Sequence, residues 1–213
     1  MCCCFNLAVA QHRSSRALTY GGGGNGATNF SDGWAVSVGT GVDVPQGDLN
    51  SIFKPAININ TGVYKFLGPF TANFNVGYRS FKPDEAIVTQ EAGSTIYADM
   101  SAFSIHGGLA YNIDLTDDFR VYGGVNLGAY ITQFGVAFIN DDPSYAYVFQ
   151  KWKTSLYYAP KVGMSFPVTN HLGLNIESKY NFFSQKVDFE EGNGSVKLNW
   201  NSFTLGAELV LKF

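Results

Sequence analysis

The sequence lacks cysteine outside one short run near its start. The three cysteines are Cys2, Cys3 and Cys4. Because the rest of the chain has none, we expect neither a disulfide framework nor a spaced cysteine metal site in it. The sequence also lacks any apolar run of 18 residues, which argues against a transmembrane helix. If the chain crosses a membrane, the sequence predicts that it does so with strands.

Charge is scarce as well. Charged residues make up 15% of the chain, whereas an ordinary soluble domain has about 25%. The formal net charge is -3 and the isoelectric point is near 5.5, so there is no broad basic surface. A nucleic acid would have nothing to hold it through counterion release, and we therefore predict no nucleic-acid binding.

The chain is 213 residues long, a length that one all-β domain can take up. Residues 1–10 are apolar and end in small residues, which resembles the tail of a secretory signal; they lack a basic start, so a truncated start is the alternative. Residues 11–32 are rich in Gly, Asn and Ser, and we predict a flexible leader there. We expect residues 33–213 to form one domain.

From Gly33 onward, apolar and polar residues alternate with a period of two through eight segments. In the sixth segment, Trp152, Leu156 and Val162 fall on one face, and Ser155 and Lys161 fall on the other. This period is typical of β-strands with two different faces. The sequence therefore predicts eight strands and no amphipathic helix.

The connections between these segments alternate in length. Three are tight turns, at residues 68–69, 116–118 and 169–170. Four are longer links, at residues 45–54, 82–94, 140–149 and 190–195. Short turns on one side and long links on the other predict an all-β, eight-stranded, antiparallel up-and-down barrel with both termini at the short-turn end.

Alternation alone does not say which face is inside, because a soluble calyx of the lipocalin kind turns its apolar face inward. Each strand has about 10 residues or more, roughly the span that a tilted strand needs to cross hydrocarbon. Aromatic side chains on the apolar face gather near strand ends, as at membrane borders. We expect Tyr111, Phe119 and Phe166 beside the short turns, and Trp34, Tyr78, Trp152, Tyr180 and Phe203 nearer the long links. These features favour a transmembrane barrel whose apolar face meets lipid.

The polar face then points into a lumen that, with eight strands, is just wide enough for its own side chains. Buried charges are costly unless they are paired. We therefore predict an interior charge network formed by Arg79, Arg120, Lys161, Glu177, Lys179 and Glu208. The alternative use of these charges is a narrow path for ions or small solutes.

Evidence for catalysis in the sequence is weak. Ser104 and His106 share the inward face, but no third residue is identifiable to orient the histidine as a base. The acidic pairs Asp84-Glu85 and Asp141-Asp142 lack the spaced oxygen ligands of a calcium loop. We predict no catalytic residues, no metal site and no cofactor.

The end of the chain carries a more specific motif. The stretch from Thr204 to Phe213 alternates hydrophobic residues and ends in Phe, with Gly206, Leu209 and Leu211 at the spaced positions. It resembles the signal by which the barrel-assembly machinery recognises outer-membrane proteins, although Leu stands where an aromatic is common. Together with the strand count, residues 33–213 resemble small outer-membrane barrels of the OmpA, OmpX and OmpW kind.

This resemblance implies a place in the outer membrane of a Gram-negative bacterium, in contact with lipid and lipopolysaccharide. It also implies that the short turns and both termini are periplasmic and that the long links are extracellular. We expect a non-enzymatic envelope protein that either has a structural role or binds a partner through its long links, with 82–94 and 141–149 as the first candidates. A subunit of a larger envelope complex is a further form of this role. The alternatives are a narrow OmpW-like channel and, as some small barrels of the PagP and PagL kinds are, a lipid A-modifying enzyme.

Overall fold

The computed structural model describes residues 32–85, 87–90, 93–116, 119–139, 146–169, 171–188 and 195–213. The expected signal-like segment 1–10 and the leader up to residue 31 lie outside these residues. Asp32, which we expected to end the leader, begins the first strand instead. Across the described residues, no helix is long and apolar enough to pass through a bilayer.

Within the described residues the chain forms ten strands, which run in chain order as follows. They are β1 Asp32–Gly47, β2 Ala56–Leu67, β3 Phe70–Phe81, β4 Ile87–Gln90, β5 Gly93–Tyr97, β6 Met100–Thr116, β7 Phe119–Ile139, β8 Ala146–Pro167, β9 Leu172–Asp188 and β10 Ser195–Lys212. Eight of them form an antiparallel barrel in which each strand pairs with the next, and β1 pairs with β10 to close it. The predicted eight-stranded antiparallel barrel is confirmed.

The strands at the long-link end run further than predicted. Residues 82–94 were expected to be a link, but β4 and the first two residues of β5 lie there, in a hairpin whose β5 pairs with the end of β7. Residues 146–149, expected in the link after β7, belong to β8, because Ile139 pairs with Ala146. These stretches are rich in β-branched and aromatic residues, which favour strands wherever a partner strand is available. The bilayer span fixes only a minimum strand length, so it could not predict these extensions.

The two faces of the wall have opposite chemistry. On β6, the exposed fractions of Ile105 and Leu109 are 43% and 61%, whereas those of Ser104 and His106 are 1% and 3%. In the described residues of the other barrel strands the outer face is apolar as well, and the inner face is mostly polar, with apolar side chains among the polar ones. Apolar side chains therefore face outward and polar ones inward, as predicted for a barrel in lipid and opposite to a calyx.

Aromatic side chains on the outer face pair across neighbouring strands near both ends of the barrel. At the turn end, the ring centroids of Phe119 and Phe166 lie 5.1 Å apart. Nearer the long links, those of Tyr78 and Phe103 lie 4.8 Å apart. Trp34 was predicted to lie nearer the long links, and this is wrong. Its carbonyl accepts a hydrogen bond from the backbone N–H of Phe213, at the turn end. The reason is that β1 begins at the turn end and is antiparallel to β10, so its first residues lie beside the last residues of β10.

Candidate functional site: the barrel interior

An apolar cluster closes the long-link end of the barrel. We call this cluster the plug, and it consists of Leu49, Phe53, Phe81, Met100 and Trp200, each at most 2% exposed. The link between β1 and β2 folds inward to supply the first two of these side chains, and the backbone N–H of Phe53 donates to the carbonyl of Leu49 at 3.0 Å. Sequence reasoning missed the plug, although Leu49, Ile52 and Phe53 are apolar residues inside a predicted link.

The link that supplies the plug is anchored on both sides. The carboxylate of Asp48 accepts a hydrogen bond from the backbone of Asn199 at 2.9 Å, which ties the link to β10. Phe53 forms a β-bridge with Pro83, which ties it to the segment after β3. The side chains of the plug are therefore held in the barrel mouth by backbone contacts as well as by packing.

A buried ion pair lies directly below the plug. Arg79 Nη1 and Asp43 Oδ2 are 2.5 Å apart, with side chains 4% and 0% exposed. Asn58 Nδ2 donates to the same carboxylate at 3.1 Å, and the Thr204 hydroxyl donates to it as well. The Arg79 guanidinium also lies 4.8 Å from the ring centroid of Tyr130. The predicted charge network included Arg79 but omitted Asp43, its partner.

Two lysines share one carboxylate in the middle of the barrel. Lys161 on β8 and Lys179 on β9 are directly opposite each other in the strand register. Glu177 Oε2 lies 3.1 Å from Lys161 Nζ, and Glu177 Oε1 lies 3.5 Å from Lys179 Nζ. Like charges directly opposite each other destabilise a strand pair. Glu177 therefore compensates a repulsion built into the contact between β8 and β9.

The two remaining charges of the predicted network have other contacts. Glu208 accepts hydrogen bonds from the hydroxyl of Tyr64 at 2.6 Å and from Asn60 Nδ2 at 2.8 Å. Arg120 Nε lies 2.5 Å from Asp114 Oδ1, at the turn end of the barrel. Of the six charges that we expected in one network, Lys161 and Lys179 contact Glu177, whereas Arg79 contacts Asp43 and Arg120 contacts Asp114, two carboxylates that the prediction omitted.

Two cavities lie among these polar side chains. One lies at the turn end and is lined by residues that include Ala110, Asn112, Arg120 and Lys161. The other is smaller and lies at mid-height, beside Glu177, Lys179 and Glu208. The interior therefore contains polar space below the plug.

Ser104 and His106 both lie in this interior. Their side chains are 1% and 3% exposed, and the ring of His106 meets that of Tyr157 edge to face at 5.3 Å. Among the residues that the structure describes, neither Ser104 Oγ nor His106 Nδ1 has a hydrogen-bond partner. The same residues include no group of three or more His, Cys, Asp or Glu side chains that could hold a metal ion.

Replacing Gly163 with alanine should test how tightly the interior is packed. A methyl group there would overlap the ring and hydroxyl of Tyr122, which donates to Glu177 at 3.3 Å. We expect the free energy of unfolding to fall by about 1–3 kcal/mol, the usual cost of overpacking. Urea unfolding in lipid bilayers measures it. Gly123→Ala is the matched control, because its added methyl meets only the Lys161 carbonyl, at 4.0 Å. Equal effects at both positions would contradict the assigned packing.

Comparisons with known proteins agree with this architecture. The family described as "Outer membrane protein beta-barrel domain" matches residues 2–210. Among solved structures, neisserial surface protein A is 16% identical with a TM-score of 0.56, and 84% of this chain and 97% of that chain are covered. OprG from Pseudomonas aeruginosa is 13% identical with a TM-score of 0.54, covering 85% and 98%. At these identities the structures show a shared fold. No curated protein matches.

Proposed function

Since this chain belongs to the outer membrane protein β-barrel family, we propose that it is a non-enzymatic scaffold that presents its long-link end to a protein partner. The observation that carries this proposal is the difference between the two ends of the barrel. Strands β7 and β8 have 21 and 22 residues, about twice the 9–11 that cross a bilayer. Hairpin β4–β5 adds to the same end.

In the proposed orientation the short turns and both termini are periplasmic, and the long links are extracellular, as is usual for outer-membrane barrels. The extended ends of β7 and β8, with β4 and β5 beside them, then form a sheet above the membrane surface. Segments held on a rigid scaffold are common carriers of binding function. This sheet and its links, including 82–94 and 141–149, are the proposed partner surface.

The outer wall and the end of β10 support two further proposed contacts. The outer aromatic residues would lie at the headgroup level, where they would meet lipid and lipopolysaccharide. Leu209, Leu211 and Phe213 are 50%, 51% and 71% exposed on the outer face. These side chains, with Gly206, are the proposed signal for the barrel-assembly machinery during insertion.

The placement of Ser104 and His106 favours a non-enzymatic role over lipid A modification. Both side chains are buried inside the barrel, whereas a lipid A-modifying residue must reach a substrate held in the membrane. Ser104 and His106 are also two residues apart on one strand, so their side chains follow each other along the lumen. Mass spectrometry of lipid A should therefore show the same acyl pattern in cells with and without the protein.

Replacing residues 87–97 with a short Gly-Ser linker tests the proposed partner surface. The replacement removes β4 and β5 but keeps Pro83, so the plug retains its bridge to Phe53. We expect cross-linking of the partner in intact cells to fall at least about tenfold, because the replacement removes the side chains of β4 and β5 together with the strand edge that they present. The same linker inserted between Gly68 and Pro69 is the control at the opposite end. Unchanged cross-linking in a folded variant would refute this surface as the binding site.

A further inference from the structure

We propose that the turn end of the barrel holds a small monovalent anion of the chloride class, bound by Arg120, Ser165 and Asn175. The site lies at the end opposite the proposed partner surface, and it does not depend on partner binding. The anion has a structural role, because its negative charge compensates buried cations at this end of the barrel.

The three proposed ligands lie side by side on consecutive strands. Arg120 on β7 is directly opposite Ser165 on β8, and Ser165 is directly opposite Asn175 on β9. Neighbouring strands are about 4.8 Å apart, so this row spans about 10 Å of the inner wall. All three residues line the turn-end cavity, and Arg120 and Asn175 are 7% and 9% exposed. An ion in the cavity therefore meets side chains from three strands at one height.

Two of these side chains carry hydrogen-bond donors that the fold does not use. Neither the Ser165 hydroxyl nor the Asn175 amide makes a hydrogen bond to another residue in the described part of the chain. A hydroxyl carries one hydrogen-bond donor, and a side-chain amide carries two. A buried polar group is costly when it has no partner. The row is therefore suited to an acceptor that is not part of the chain.

The charges that line the turn-end cavity are positive. Arg120 and Lys161 belong to its lining, and the described residues of that lining include neither Asp nor Glu. Lys161 Nζ contacts Glu177 at 3.1 Å and Asn73 at 3.3 Å, which accounts for two of its three N–H donors. The carboxylates of Glu177 and Glu208 line the mid-height cavity instead. The turn-end cavity therefore offers positive charge and hydrogen-bond donors to an anion.

The ion pair of Arg120 leaves this positive charge in place. Asp114 Oδ1 lies 2.5 Å from Arg120 Nε, but the Asp114 side chain is 58% exposed, whereas that of Arg120 is 8% exposed. Water and dissolved ions screen an exposed carboxylate more than a buried one. Asp114 therefore offsets the field of Arg120 inside the cavity less than a buried carboxylate would.

The width of the lumen favours a single-atom anion over a larger one. Eight strands enclose a space just wide enough for their own side chains. The aromatic side chains of Tyr64, Phe66 and Tyr122 also line this cavity and narrow it further. A halide needs only one position with several N–H and O–H donors around it, and the row of Arg120, Ser165 and Asn175 supplies such donors from one side.

Chloride binding is measured on the folded protein in uncharged maltoside micelles. We expect the chloride NMR line to broaden when the protein is added, and bromide to reverse the excess broadening by competition. Arg120→Gln should reduce this excess at least about fivefold, because it removes the charge of the row. Lys65→Gln is the matched control and should leave it unchanged. Lys65 lies at the same end but on the outer face, with its ammonium 5.3 Å from the ring centroid of Trp34.

Stability supplies a second readout that does not depend on the NMR signal. Potassium chloride and potassium gluconate at equal ionic strength screen surface charges alike, but gluconate is too large for the cavity. A ligand that binds only the folded state stabilises it. We therefore expect the urea concentration at the unfolding midpoint to be about 0.5–1 M higher in chloride than in gluconate.

Asn175→Asp tests the position of the anion by supplying a carboxylate within the row. The chain then carries its own negative charge beside Arg120, so the unfolding midpoints in the two salts should agree within about 0.2 M. The excess broadening of the chloride line should also disappear, while the variant stays folded. Asn50→Asp is the matched control, because Asn50 is exposed in the link at the other end, and it should keep the difference between the salts.

Three outcomes would overturn the proposal. No excess broadening with the unaltered protein would mean that it binds no chloride. Equal broadening for Arg120→Gln and Lys65→Gln would mean that chloride binds elsewhere. A difference between the salts that survives in Asn175→Asp would mean that the anion does not lie in this row. Heat-dependent gel mobility confirms that each variant is folded, and if Arg120→Gln does not fold, the result for Asn175→Asp decides.

Discussion

Replacing Glu177 with glutamine is expected to lower the free energy of unfolding by about 3–5 kcal/mol. Glutamine has nearly the same shape, so the change removes charge and little volume. Lys161 and Lys179 would then face each other across β8 and β9 without the carboxylate that now lies 3.1 Å and 3.5 Å from their ammonium groups. Removing one member of a buried ion pair is costly because the charge that stays behind has no compensation.

Urea unfolding in lipid bilayers measures this loss, and a second acidic residue supplies the control. Glu85 is exposed in the segment between β3 and β4, so Glu85→Gln should change the free energy of unfolding by no more than about 0.5 kcal/mol. A similar small change for Glu177→Gln would show that the two lysines do not depend on its charge.

A second substitution separates charge repulsion from simple loss of a hydrogen bond. Lys161→Met in the Glu177→Gln background removes one of the two opposed ammonium groups and keeps a long side chain. We expect it to restore more than half of the lost stability, because a buried apolar side chain tolerates the surroundings that an unpaired charge does not. If the double variant is as unstable as the sum of the two single variants, the two positions are not coupled.

The sequence predicts the barrel well because the bilayer imposes its chemistry on every strand. Side chains alternate between lipid and lumen with a period of two, so the face of Ile105, Ser104 or His106 follows from its position in the segment. Eight repeats of that pattern, with alternating short and long connections, leave little choice of topology. This is why strand count, closure and the inward position of the charged residues could be predicted.

The position of a side chain along the barrel axis, and the inward residue that it contacts, could not be predicted in the same way. The period of two gives a face, but the register between strands decides which inward residues meet. Arg79 meets Asp43, and Glu208 meets Tyr64 and Asn60, although charge alone would pair Arg79 with Glu208 equally well. Composition likewise placed Leu49 and Phe53 in a link, and their apolar side chains alone do not tell whether the link turns inward or lies on the surface.

Replacing Asp43 with asparagine should have the other large effect, a loss of about 3–5 kcal/mol in the free energy of unfolding. The carboxylate lies 2.5 Å from Arg79 Nη1 and is fully buried, so asparagine would leave a guanidinium charge that water cannot reach. Arginine keeps its charge in proteins, and the cost cannot be relieved by loss of a proton. We expect Arg79→Met to recover part of the loss when it is combined with Asp43→Asn.

Two further variants rank this effect against weaker contacts in the same assay. Thr204→Val removes a neutral hydroxyl that donates to Asp43, and should cost about 1 kcal/mol. Asp84→Asn breaks a surface pair with Lys54 whose side chains are 65% and 56% exposed, and should cost less than about 1 kcal/mol. The expected order of loss is Asp43→Asn, then Thr204→Val, then Asp84→Asn. If Asp43→Asn costs no more than Asp84→Asn, then the pair beneath the plug does not behave as a buried ion pair.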